Sequence, residues 1–208
     1  MRSNYELAKE RAREYFLKYD QNEILSKLPI RADGNYLRFS FFESDCRVER
    51  SSGRVECFNP LSGTFQDAEF NEALTVYDLL CNSQKGAVPF GEYISISGLS
   101  RLQSATWNGT LNTEAFQSDA NRFDHSREKL CAALIKMGAS FVSGGDLGAE
   151  IPFFGPWSVL FRFWASDDEF EAKIQCMWDR SILSMIQYET VWYATGVFMN
   201  RLRRYSGS

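Results

Sequence analysis

Short strand-like segments separated by tight turns constrain this fold more than any other feature of the sequence. Residues 46–58 alternate valines with charged side chains on both sides of Ser51-Ser52-Gly53, which is typical of a β-hairpin. A second series of apolar segments occupies residues 150–154, 158–164 and 173–178. Because strands joined by short turns pair antiparallel, the sequence predicts an antiparallel sheet.

Helical periodicity occurs before, between and after these strands. A capping box at Ser3 and Glu6 starts the first predicted helix, and Asp67 is predicted to cap another that ends near Leu80. Gly138 is predicted at the C-terminal end of a helix that precedes the second strand series. Residues 183–203 are apolar on nearly all sides, so we expect a buried C-terminal helix.

The order of these elements predicts an α+β fold with helices packed on the sheet. We expect one domain over residues 4–203, with two ββα-like halves as an alternative. That alternative is suggested by a faint echo between Arg38-Phe39-Ser40-Phe41 and Arg162-Phe163-Trp164. Gly196 lies within the last helix, where a glycine indicates close packing by a neighbouring element.

The composition excludes several classes of protein. With 208 residues and 24% charged side chains the chain is an ordinary globular protein. Its net charge of −4 and pI of about 5.2 have the wrong sign for binding nucleic-acid phosphates. No apolar run reaches about 18 residues, so no membrane span is predicted. The first residues lack an apolar signal segment, and we expect a cytoplasmic protein.

The metal-binding residue types lack the spacing of a metal site. The five cysteines include no Cys-x-x-Cys pair, and His125 is the single histidine. We therefore predict no metal and no cofactor, and reduced thiols. His125 is expected to cap a helix or lie at the surface.

A collinear series of short segments runs through nearly the whole chain. The segments are Asn4-Tyr5-Glu6-Leu7-Ala8, Gly34-Asn35-Tyr36-Leu37, Gly91-Glu92-Tyr93-Ile94-Ser95, the run from Gly144 to Pro152, Phe161-Arg162-Phe163-Trp164, Trp178-Asp179 and Tyr188-Glu189-Thr190. In this order they resemble the uncharacterised prokaryotic family catalogued as domain of unknown function 3786. The resemblance implies a cytosolic protein, common in anaerobes and methanogens, with no established activity. Some relatives carry an added iron–sulfur segment, and this sequence lacks its four-cysteine run.

Charged residues set among tryptophans form the sharpest candidate site. The candidate ligand-binding residues are Glu92, Trp107, Arg162, Trp164, Asp179 and Glu189. Arg162 alternates with Phe161 and Phe163, so it should face the opposite side of its strand. Its guanidinium would select an anionic or carboxylate group, while the tryptophans supply apolar surface.

Trp107 belongs to an irregular polar stretch, residues 98–113, of a kind that often carries binding residues. A rival hypothesis makes Arg162 and Glu189 a structural buried ion pair. The run from Gly144 to Gly148 lacks the lysine of a phosphate-binding loop and is interpreted as a turn.

Two functions follow from these alternatives. The first is a module that binds a small molecule or a protein, without metal-dependent chemistry. The second is an enzyme that uses Glu92 with Asp179 or Glu189 as an acid–base pair on a small metabolite. The sequence contains no nucleophile–base motif and no nucleotide loop, which favours the binding module.

Overall fold

A computed structural model describes residues 4–60, 62–102 and 116–207 of the chain. These residues form two five-stranded antiparallel sheets and seven α-helices. The chain divides into two compact units, which we call the first unit (Met1–Val88 with Ser181–Val197) and the second unit (Pro89–Arg180 with Phe198–Ser208). The α+β class and the antiparallel pairing predicted from the sequence are confirmed.

The first unit contains the first sheet and three of the helices. Its elements are α1 (Asn4–Lys18), α2 (Gln21–Lys27), β1 (Arg31–Asp33), β2 (Tyr36–Phe41), β3 (Ser44–Glu49), β4 (Val55–Asn59), β5 (Thr64–Asp67) and α3 (Phe70–Asn82). The strands follow one another across the sheet in chain order. Alternation along β2 buries Leu37, Phe39 and Phe41 on one face, which forms the core with the helices.

Two sequence predictions in the first unit need correction. Asp67 does not cap α3; it ends β5, and its carboxylate lies 2.5 Å from Nε of Arg54. The N-cap of α3 is Glu69. The expected reduced state is wrong for Cys46 and Cys57, which lie directly opposite each other on β3 and β4 and form a disulfide.

The second unit contains the second sheet. Its elements are β6 (Tyr93–Ser95), α4 (Ile96–Leu102), α5 (Gln117–Asp124), α6 (Arg127–Lys136), β7 (Ser140–Val142), β8 (Leu147–Phe154), β9 (Trp157–Trp164) and β10 (Lys173–Asp179). The order across the sheet is β6-β10-β9-β8-β7. Gly138 follows α6 with a φ of +71°, which confirms the predicted helix end.

One face of the second sheet is packed with large aromatic side chains. Phe161 contacts Phe198 edge-on with ring centres 5.8 Å apart, and Phe153 contacts Trp178 at 5.0 Å. Trp157 and Trp178 are both buried. These two tryptophans therefore belong to the core.

The C-terminal helix α7 spans Tyr188–Tyr205 and begins five residues later than predicted, because residues 182–184 form a 3-10 turn. Its first half belongs to the first unit and its second half to the second unit. Val191, Ala194 and Leu202 are fully buried, so the buried C-terminal helix is confirmed. A Cβ on Gly196 would lie 2.9 Å from Nδ2 of Asn71, which explains the glycine.

The structure has two antiparallel sheets where the sequence predicts one. Each unit has its own sheet, as the alternative of two halves implies, but with five strands in each case. The single domain over residues 4–203 stays a prediction. No helix among the described residues is long and apolar enough to cross a membrane.

Candidate ligand site on the second sheet

The second sheet has a polar face opposite its aromatic core. Arg162 lies on β9 between Gly148 of β8 and Gln175 of β10, and Glu150 lies two residues beyond Gly148. Because side chains alternate along a strand, the residues that share this side can be read from the register. Leu160 and Met177 are also on this side, and both are apolar and buried. We define the polar face as Tyr93, Glu150, Ser158, Arg162, Trp164 and Gln175, which share this side with them.

A glycine turn supports the guanidinium of Arg162. A Cβ on Gly144 would lie 2.7 Å from Nε of Arg162, closer than real Cβ atoms come to a neighbour, and 3.1 Å from Nη2. Gly144 also has a φ of +121°, in the region that favours glycine. The carboxylate of Asp146 accepts a hydrogen bond from the amide of Ala165 at 2.8 Å, which ties the turn to the end of β9. The turn predicted at residues 144–148 thus positions Arg162.

The guanidinium of Arg162 has no partner among the described residues. Its Nε is buried, and no hydrogen bond or ion pair to Arg162 occurs within the part of the chain that the structure describes. Arg203 and Arg180, in the same unit, lie 2.6 Å and 3.3 Å from the carboxylates of Asp119 and Glu92. A half-buried cation without a counter-charge is costly, because desolvation is not compensated. The charge of Arg162 is therefore not compensated by any of the residues that the structure describes.

A pair of hydroxyl groups lies beside Glu150 on the polar face. The Oη of Tyr93 and the Oγ of Ser158 are 2.5 Å apart, which joins β6 to β9. Burial raises the pKa of Tyr93, and the carboxylates of Glu150 and Asp179 raise it further. Tyr93 therefore remains a neutral hydroxyl at physiological pH.

Asp179 and Glu92 make contacts that hold the chain entering β6. Asp179 is 3% exposed, and its carboxylate accepts hydrogen bonds from the amides of Phe90 at 3.1 Å and Gly91 at 2.7 Å. The exposed carboxylate of Glu92 pairs with Arg180, whose amide donates to the carbonyl of Glu92 at 2.7 Å. These contacts favour a structural role for both carboxylates.

Glu189 and Trp107 are the remaining candidates. Glu189 belongs to the first unit, where it is exposed on α7 and accepts a hydrogen bond from the hydroxyl of Tyr193 at 3.0 Å. Its exposure removes the physical reason for a buried ion pair with Arg162. Trp107 lies outside the described residues. The structure thus places Arg162, Trp164 and Asp179 on one side of the second sheet.

Sequence reasoning missed Tyr93, Glu150 and Ser158. Ser158 lies four residues before Arg162 on the same strand, so alternation could have found it. Glu150 and Tyr93 reach this face through strand pairing with distant residues. To predict that these two residues lie on the same face, the order of the strands in the sheet must be known, and no local sequence pattern gives that order.

The described residues were also compared with the requirements of a metal site and of a reactive thiol. No group of three or more His, Cys, Asp or Glu side chains among the described residues is arranged to hold a metal ion. Burial raises the pKa of the free thiol of Cys176, and it raises the pKa of the Cys81 thiol to about 12. Both are therefore protonated and poorly nucleophilic at neutral pH.

The chain matches the family model described as "Domain of unknown function (DUF3786)" over residues 20–201. It belongs to this family. The match extends across residues of both units, in agreement with the resemblance seen in the sequence. Comparison with curated proteins and with solved structures gave no match. Family membership assigns no activity, so the geometry of the polar face carries the functional argument.

Proposed function

We propose that this protein is a binding module for a small anionic molecule, held on the polar face of the second sheet. Arg162 binds the anionic group, and Trp164 contacts an apolar part of the ligand. The observation that carries this proposal is the half-buried guanidinium of Arg162 without a counter-charge among the described residues.

The chemistry of the two side chains suits such a ligand. A guanidinium presents its donors in a planar fork that matches a carboxylate or a phosphate. Trp164 follows two residues after Arg162, on the same side of β9, and is half-buried. Its ring therefore offers apolar surface beside the cation, as binding sites with few polar groups commonly do.

Binding is favoured over acid–base catalysis because the carboxylates of the enzyme hypothesis already have partners. The carboxylate of Asp179 accepts hydrogen bonds from the amides of Phe90 and Gly91, and Glu92 pairs with Arg180. The pairing of Glu92 with Asp179 or Glu189 as acid and base stays a prediction. The expected cytoplasmic location and the absence of nucleic-acid binding also stay predictions, the second supported by the pI of about 5.2.

Thermal unfolding in the presence of ligands tests the proposal. The probes are 3-phenylpropanoate, 4-methylpentanoate and phenyl phosphate, applied at millimolar concentration to the wild type, Arg162→Gln and Arg127→Gln. Arg127 is the matched control, because it is an exposed arginine of α6 in the same unit. At ten times Kd a ligand adds about 1.4 kcal/mol of stability, which for a chain of this length raises Tm by about 3–6 °C.

We expect at least one probe to raise Tm in the wild type and in Arg127→Gln, and to lose that effect in Arg162→Gln. An equal rise in all three proteins would place the anion site elsewhere. A wild type that responds neither to the three anions nor to L-phenylalanine or L-leucine would contradict the proposed function.

A further inference from the structure

We infer that the ligand of the polar face carries an amine as well as an acid group, so that the class of ligand is an amino acid or a similar zwitterion. This inference rests on the proposed function and adds a second recognition element, Glu150. The amine would bind Glu150 while the acid group binds Arg162.

The register of the sheet places these two opposite charges next to each other. Glu150 is directly opposite Leu160, and Arg162 is the next residue on the same side of β9. Diagonal neighbours of this kind have Cα atoms roughly 7–8 Å apart. No ion pair joins the two side chains within the described residues, although both are half-buried. A molecule that carries both charges would neutralise both side chains at once.

The surroundings of Glu150 are suited to an ammonium group. The hydroxyl of Tyr93 lies near the carboxylate of Glu150 and contacts the hydroxyl of Ser158 at 2.5 Å. A carboxylate has about four acceptor positions, so one tyrosine hydroxyl leaves capacity for further donors. An ammonium group brings three donors, and the oxygen atoms of Glu150 and Ser158 are acceptors on the same face.

The same carboxylate discriminates against simple anions. An anion bound to Arg162 comes close to the negative charge of Glu150, which repels it across a poorly solvated surface. A protonated amine on the ligand converts this repulsion into attraction. Glu150 therefore selects zwitterions over the corresponding deaminated acids.

Matched probe pairs test this inference by isothermal titration calorimetry on the full chain. The pairs are L-phenylalanine with 3-phenylpropanoate, L-leucine with 4-methylpentanoate and L-glutamate with glutarate; 2-phenylethylamine supplies the amine alone. Glu150→Gln removes the charge, and Glu128→Gln is the matched control on α6 of the same unit, where Glu128 is exposed.

We expect at least one amino acid to bind the wild type about tenfold more tightly than its deaminated partner and than 2-phenylethylamine. In Glu150→Gln this preference should fall to about twofold or less, since the amino acid binds more weakly and the deaminated acid binds as well or better. Glu128→Gln should keep the preference of the wild type.

Three outcomes would overturn the inference, and they differ in what they imply for the proposed function. Equal binding of amino acids and deaminated acids to the wild type refutes the zwitterion and leaves the anion site intact. A preference that survives in Glu150→Gln assigns the amine to another residue. Absence of binding by every acid and amino acid refutes the proposed function as well. If Glu150→Gln does not fold, the comparison of probe pairs on the wild type decides the question.

Discussion

The replacement of Asp179 by alanine tests whether this carboxylate is structural. The change removes two hydrogen bonds from the amides of Phe90 and Gly91 to a carboxylate that is 3% exposed. Hydrogen bonds to charged groups contribute roughly 1.5–3 kcal/mol each. Phe90 and Gly91 are themselves exposed, so water can reach their amides after the substitution. We therefore expect the free energy of unfolding to fall by about 2–4 kcal/mol.

Urea unfolding followed by circular dichroism measures this loss, with Glu92→Gln as the control. Glu92 is a surface residue whose ion pair with Arg180 spans 3.3 Å, and such pairs contribute about 0–1 kcal/mol. The control should therefore remain within about 1 kcal/mol of the wild type. If Asp179→Ala also stays within about 1 kcal/mol, the anchoring role is refuted and the carboxylate becomes available for the acid–base hypothesis.

Three further predictions concern the glycine turn, the disulfide and alkaline pH. Gly144→Ala should displace the guanidinium of Arg162 and weaken the binding of carboxylate probes, because its Cβ would lie 2.7 Å from Nε; calorimetry measures this. Reduction of the bond between Cys46 and Cys57, eleven residues apart, should lower the free energy of unfolding by about 3 kcal/mol, as measured by urea unfolding with and without dithiothreitol. Burial raises the pKa of Cys81 from 9.0 to about 12, so the folded protein holds this thiol proton more tightly than the unfolded chain does. The stability that the protonated thiol contributes is therefore complete below pH 9 and is lost as pH rises towards 12. Urea unfolding between pH 8 and about pH 11 should show a smaller loss in Cys81→Ala than in the wild type.

Each of these predictions has a control and a contradicting result. Gly86→Ala introduces a side chain at a positive φ with nothing within 4 Å, and should leave probe binding unchanged. Probe binding by Gly144→Ala that equals that of the wild type would refute the role of the glycine turn. Dithiothreitol should not affect the double variant Cys46→Ala/Cys57→Ala; an effect of equal size there would refute the role of the disulfide. If Cys81→Ala loses as much stability at alkaline pH as the wild type, the buried thiol of Cys81 does not cause the loss.

Sequence patterns predicted the turns and hairpins, whose conformation depends on neighbouring residues. The hairpin around Gly53 and the turn at Gly144 were found because glycines with a positive φ leave a clear signature. The strands β1 and β7 were missed, since three residues are too few to show alternation. The prediction of reduced thiols failed for Cys46 and Cys57 although the hairpin pairs them directly, because the register was not used to compare positions.

The candidate site was only partly predictable for the same reason. Alternation along β9 placed Arg162 correctly, opposite to Phe161. Tyr93 and Ser158 are 65 residues apart, and only the sheet order brings their hydroxyls together. A carboxylate on an apolar helix needs a partner only if it is buried. Glu189 is exposed in the first turn of α7, so it needs none.

The most direct test of the account is to observe the side chain of Arg162 during titration with 3-phenylpropanoate and L-phenylalanine. The buried Nε should hold a slowly exchanging proton that gives a cross-peak in a ¹H–¹⁵N spectrum, which Arg162→Gln identifies by its loss. We predict that this cross-peak shifts and saturates with at least one of the two probes, while that of Arg203, whose Nε donates to the carboxylate of Asp119, stays in place. A cross-peak of Arg162 that remains unmoved while either probe binds would contradict the central claim.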